Sequence, residues 1–156
     1  DKKNTSKMPT ELSTKISLSE AEQIKEVKEI NKITNQDIKQ KFEIYFAHDE
    51  FKLDFNLKNL INNILIKYTD NKNTIFEIVG HTDKSGTKEY NLILSKLRAN
   101  AVKQYLLQKG LSEYNISTFY YGETKPKIST KDGVKEKLNR RVEIFINNSR
   151  KNLSQL

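Results

Sequence analysis

The sequence has no cysteine, one methionine, two prolines and five glycines in 156 residues. Without cysteine there is no disulfide, no thiolate nucleophile and no cysteine-based zinc site, and the redox compartment is left open. No apolar run approaches the ~18 residues needed to span a bilayer. No signal peptide is visible, and Asp1 at the start leads us to expect a processed or truncated chain. Arginine is scarce, with 4 against 24 lysines. Surfaces that read phosphate cluster arginine and interleave aromatics. Here the lysines are spread out, often beside Glu or Asp, so the net charge of +8 reads first as solubility. Two histidines cannot complete a closed metal shell, and no metal or cofactor is expected. No Gly-rich phosphate loop is present, and Ser95 has no evident base on its helix face, so nucleophilic catalysis has no support.

Residues 1–15 lack apolar periodicity and read as a flexible lead. Ser17-Leu18-Ser19-Glu20 resembles a capping box, and Ile24, Val27, Ile30 and Ile33 follow every third residue, so a short helix over about 19–33 is expected. We therefore divide the chain into an extension over 1–40, a folded domain over 41–147 and a polar tail over 148–156. In the folded part, Phe42, Ile44 and Phe46 alternate as in a strand. Leu53, Leu57, Leu60, Ile61, Ile64 and Leu65 recur at helical spacing, and Thr74–Val79 is a second strand. The spacing predicts a long helix from about Thr87 to Lys109, stopped by Gly110, with Tyr90, Leu94, Leu97, Ala101 and Tyr105 on its core face. Ile116–Tyr121 is a third strand. Gly122–Leu138 is a polar loop with room for one helical turn, and Val142, Ile144 and Ile146 mark the last strand. The order is β-α-β-α-β-loop-β, and the class is α+β.

Chemistry concentrates in Gly80-His81-Thr82-Asp83 and the helix after it. Asp83 follows an apolar strand and precedes Ser85, Gly86 and Thr87, which are turn and N-cap types. Arg98 lies fifteen positions on, at the edge of the helix core stripe beside Asn91 and Ser95. A guanidinium held there can take a carboxylate with two parallel hydrogen bonds, while Asp83 takes an ammonium. Position and chemistry alone equally allow the two to pair with each other, or Arg98 to be an ordinary surface residue, and structural ion pairs are the commoner outcome. Arg140 and Arg141 are adjacent on a strand, so one is expected to face the pocket and the other solvent.

Five ordered blocks resemble a known family. They are Phe46 with Asp49 and Leu53; Val79-Gly80-His81-Thr82-Asp83 with Gly86; Tyr90-Asn91 with Leu94-Ser95 and Arg98-Ala99, continued by Val102, Leu106 and Gly110; Tyr121-Gly122-Glu123 with Pro126; and Asn139-Arg140-Arg141-Val142-Glu143-Ile144. In this order they resemble the OmpA-like peptidoglycan-binding domain of OmpA, Pal-type lipoproteins and the stator protein MotB. The resemblance covers residues 42–147. Two departures stand out. His48 replaces an aromatic or apolar residue, and Lys135-Glu136 replaces a Gly-Arg pair, so a differently shaped loop is expected before the last strand.

The resemblance implies a four-stranded mixed sheet with two helices packed on one face. It implies non-catalytic binding of the diaminopimelate in the peptidoglycan stem peptide. Asp83 would face the ligand's ammonium and Arg98 its carboxylate, with Thr82, Asn91, Leu94 and Arg140 shaping the pocket. The expected setting is the periplasm of a Gram-negative bacterium, associated with the outer membrane, with any membrane attachment made through sequence upstream of Asp1. Envelope or secretion-system proteins are further expected partners, and nucleic acid is not. The competing class is a basic module for nucleic acid or another polyanion, whose binding would fall steeply with salt.

Overall fold

The structure, a computed structural model, describes residues 40–68 and 72–147. The expected helix over 19–33 and the polar tail lie outside the described residues. Strand β1 (Gln40–Tyr45) leads through a loop to helix α1 (Phe55–Tyr68), then β2 (Ile75–Gly80) and the long helix α2 (Lys88–Gln108). A 3-10 turn at Glu113–Asn115 precedes β3 (Ile116–Tyr120), and a long loop leads to β4 (Arg141–Asn147). The four strands form one mixed sheet in the order β1-β4-β2-β3. β4 is antiparallel to both β1 and β2, whereas β2 and β3 run parallel, joined by α2 as a crossover. Both helices pack on one face, as expected.

Period-2 alternation assigns the two faces of the sheet. Ile44, Phe76, Ile78, Val142, Ile144 and Ile146 point to the helices and are almost wholly buried with Ile61, Ile64, Ala99, Val102 and Leu106. Burying each such aliphatic side chain contributes roughly 1.5–3 kcal/mol. The opposite face carries charge. Glu43 and Glu143 stand directly across the β1–β4 pairing, an arrangement that repels. Lys41 offsets it, with Nζ 3.0 Å from Glu43 and 2.7 Å from Glu143. Lys127 reaches Glu43 at 2.5 Å. Burial alone would raise the Glu43 pKa, but hydrogen bonds from Lys127, Tyr45 and Lys41 bring it down to about 2.

Local signals fix the helix ends. Asp54 caps α1 by accepting the Leu57 N–H at 2.8 Å, and Thr87 caps α2 by accepting the Tyr90 N–H. Gly110 follows α2 with φ of 96°, in the left-handed region that suits glycine. Three expectations need correction. Leu53 precedes α1 rather than belonging to it, and Leu60 is exposed. The buried face of α2 is Asn91, Leu94, Ser95, Arg98, Ala99, Val102, Tyr105 and Leu106, so Tyr90 and Leu97 point outward. The sheet-facing stripe of α2 is partly polar, so counting apolar residues placed Leu94 and Tyr105 correctly but not Tyr90 and Leu97. The loop before β4 holds no helical turn. Asn139 shapes it instead, accepting from Lys127 and Ile128 N–H and donating to Ile128 O, each at 2.8 Å.

Candidate functional site

The site forms at the sheet end where β1, β2 and β3 finish and β4 begins. Gly80 allows it. A Cβ there would lie 2.0 Å from the Ser95 carbonyl oxygen, so only glycine lets α2 lie this close to β2. The chain then turns through His81, Thr82 and Asp83, all buried. Thr82 N–H donates to Gly122 O at 2.8 Å, and its hydroxyl donates to Asp83 O at 2.9 Å. Asn91 Nδ2 donates to Asp83 O (3.1 Å), to Gly86 O (3.3 Å) and to the buried Glu123 carboxylate (2.7 Å). The backbone around Asp83 is thus held from both sides.

The Asp83 carboxylate has a full set of donors. Oδ1 accepts from the Ser85 hydroxyl at 2.6 Å and the Ser85 N–H at 3.2 Å. Oδ2 accepts from the Glu136 N–H at 3.1 Å and from Arg140 Nη1 at 3.2 Å. Burial would raise its pKa, but the Ser85, Glu136 and Arg140 hydrogen bonds outweigh it and hold the carboxyl below its ordinary value. Arg140 is anchored further through Nε to Phe46 O at 3.0 Å.

Arg98 has no measurable exposure, which is deeper than the core-edge position expected. It does not pair with Asp83. Its Nε donates to Glu50 O at 2.8 Å, Nη1 to His81 O at 3.0 Å and Nη2 to Ala47 O at 3.2 Å. The guanidinium lies 5.3 Å from the Phe46 ring centroid. Asp49 brings the carbonyls of Ala47 and Glu50 together by taking φ of 57°, in a turn closed by Glu50 N–H to Ala47 O. Among the described residues no carboxylate lies within ion-pair distance of Arg98. Burial lowers its pKa to about 10, with the nearby Asp83 charge the main effect opposing that. Leu94 is buried between Asn91 and Arg98 on α2 and stands apart from the main core cluster.

Asp83, Thr82, Asn91 and Arg140 are therefore joined by hydrogen bonds. Arg98 connects to them through His81 O and the Phe46–Ala47 backbone. The expectation for Arg141 is corrected: it does not face solvent. It is buried on the charged sheet face, donating to Lys125 O at 3.2 Å and lying 3.4 Å from Glu143. His81 is buried with Nε2 against Glu143 and its ring stacked on Tyr121 at 5.9 Å. Burial and the Arg141 charge, working against Glu143, lower the His81 pKa to about 4, which keeps the ring neutral at pH 7. Sequence reasoning read Ser85 only as a turn or N-cap type and Glu123 only as part of a motif, and it assigned no role to the Glu136 N–H. Ser85 had a signal, because a serine two residues after an aspartate is placed to close a turn on it. The Glu136 N–H had none, because a backbone group leaves no trace in the sequence.

A mixed sheet backed by two helices, with a buried aspartate and a buried arginine at the strand ends, is the arrangement of an OmpA-like domain. The OmpA family model matches residues 45–140. The peptidoglycan-associated lipoprotein of Pasteurella multocida is 34% identical over 108 residues, covering 69% of this chain and 72% of that protein. That of Haemophilus influenzae is 31% identical over 107 residues, covering 68% and 70%. The crystal structure of the peptidoglycan-associated lipoprotein from Burkholderia pseudomallei superposes with a TM-score of 0.61 at 27% identity, covering 67% of this chain and 88% of that one. The chain belongs to the OmpA family. Among the described residues no group of His, Cys, Asp or Glu could hold a metal ion.

Proposed function

We propose that residues 41–147 bind peptidoglycan without catalysis, holding the free end of diaminopimelate in the stem peptide between Asp83 and Arg98. The domain thereby anchors an envelope protein or complex to the cell wall in the periplasm of a Gram-negative bacterium, in association with the outer membrane. The similar proteins from P. multocida and H. influenzae are peptidoglycan-associated lipoproteins by name, and wall anchoring is the general role of OmpA/Pal-like domains.

The observation that carries the reading is Arg98, a wholly buried cation whose hydrogen-bond partners among the described residues are three carbonyl oxygens. Burying a cation is costly unless it is paired. A ligand carboxylate supplies the missing charge and can use the remaining N–H groups of the fork. At the other end, the ligand's ammonium takes the place of the Ser85 hydroxyl as a donor to Asp83. Each charge-assisted bond contributes ~1.5–3 kcal/mol net. Truncating one partner costs about 2–5 kcal/mol of binding.

The test is co-sedimentation with sacculi. Wild-type protein is expected to pellet with diaminopimelate-type walls, and Asp83→Asn and Arg98→Gln to stay in the supernatant while keeping the wild-type circular dichroism spectrum. Walls with lysine at the third stem position lack the end carboxylate and should retain the protein poorly. Equal retention on both walls, or normal pelleting of both variants, overturns the site. Binding that collapses with salt and ignores both substitutions would favour the polyanion reading instead.

A further inference from the structure

We infer that the loop over 131–137 forms a second subsite, in which Lys131, Lys135 and Lys137 take another carboxylate of the same stem peptide. This deepens the proposed function and rests on it. The loop is bonded directly to the site. Gly133 N–H donates to Lys84 O at 2.7 Å, and Glu136 N–H donates to Asp83 Oδ2 at 3.1 Å. Lys135 and Lys137 flank Glu136, so their backbones lie one step of about 3.8 Å from a group that touches Asp83.

All three lysines are exposed, and among the described residues none has a carboxylate within ion-pair distance. The loop's own acids are turned elsewhere. Asp132 lies 3.8 Å from Lys84 Nζ, and the Glu136 carboxylate accepts the Leu138 N–H at 3.2 Å. Three exposed lysines without a carboxylate partner among the described residues, on a loop bonded to the Asp83 site, leave positive charge there, to be met when the same ligand brings a further anion to the loop. A stem peptide does so, because the glutamate next to diaminopimelate carries a free carboxylate when it is not amidated. Lys135 stands where the sequence departs from the family pattern, so its part of the subsite belongs to this chain's own loop.

The experiment titrates wild-type protein and the triple variant Lys131→Gln/Lys135→Gln/Lys137→Gln with a soluble disaccharide tetrapeptide. The peptide is used with its glutamate carboxylate either free or amidated, at low and at high salt. Wild type is expected to bind the free form about threefold to tenfold more tightly than the amidated form at low salt, with the difference vanishing at high salt. The triple variant should bind both forms alike, at the wild-type affinity for the amidated form. Equal binding by variant and wild type overturns the subsite and leaves the Asp83–Arg98 reading standing. A variant weakened equally towards both forms also overturns it, because the lysines then act only as general attraction. No binding of either form by wild type overturns the subsite and the proposed function together.

Discussion

Ser95 has no measurable exposure and serves two elements at once. Its hydroxyl donates to Leu92 O at 2.7 Å and accepts the Gly122 N–H at 2.9 Å. Ser95→Ala strands that buried N–H, and a loss of about 1–3 kcal/mol is expected, read as a lower urea midpoint. His81 makes a second prediction at this scale. Its folded pKa of about 4 lies below the ordinary 6.5. Between those values the unfolded chain binds the proton more readily than the folded one. The contribution of the neutral ring is therefore intact above pH 6.5 and is lost as pH falls towards 4. Urea midpoints should drop across that window, and His81→Gln should flatten the drop. A variant with the same slope as wild type would remove His81 from the explanation. The proposed role of Arg98 rests on its motif, but its depth was not legible. Two of the three atoms that hold it are carbonyls of Ala47 and Glu50, about fifty residues earlier in the chain, and any residue type supplies a carbonyl.

Among the elements, β1, β2 and β4 were legible because each buries one face and exposes or charges the other, which the alternation of Phe42, Ile44 and their neighbours records directly. Helix α2 was legible in extent but not in rotation. Its ends were marked by Thr87 and Gly110, whereas its buried stripe includes Asn91, Ser95 and Arg98, which hydropathy assigns to water. Arg141 went astray for a related reason. The second sheet face is a lattice of paired charges that shields it, and pairing across strands is invisible before the strand order is known. The contact between α2 and β2 yields a prediction at this scale. Gly80→Ala places a methyl group 2.0 Å from Ser95 O, and α2 must shift. A destabilisation of about 1–3 kcal/mol is expected from such overpacking, seen as a lower melting temperature. Because the shifted segment carries Asn91 and Arg98, wall binding should weaken at temperatures where the variant is still fully folded.

In the whole molecule, the strand order separates two ends. Gln40 and Asn147, where the chain enters β1 and leaves β4, lie at one end of the sheet. Asp83, Arg98 and Arg140 gather at the other. This arrangement has a mechanical meaning. A pull on the chain preceding Gln40, resisted at the proposed ligand site at the far end, acts along the strands. It tries to slide β1 past β4, so the bonds over the six registered pairs from Gln40↔Ile146 to Tyr45↔Arg141 share the load. A pull between Gln40 and Asn147 would instead peel the same bonds open one after another. Stretching single molecules between Gln40 and Gly86 should therefore require a markedly higher rupture force than stretching them between Gln40 and Asn147. The domain is built to be tugged along its grain.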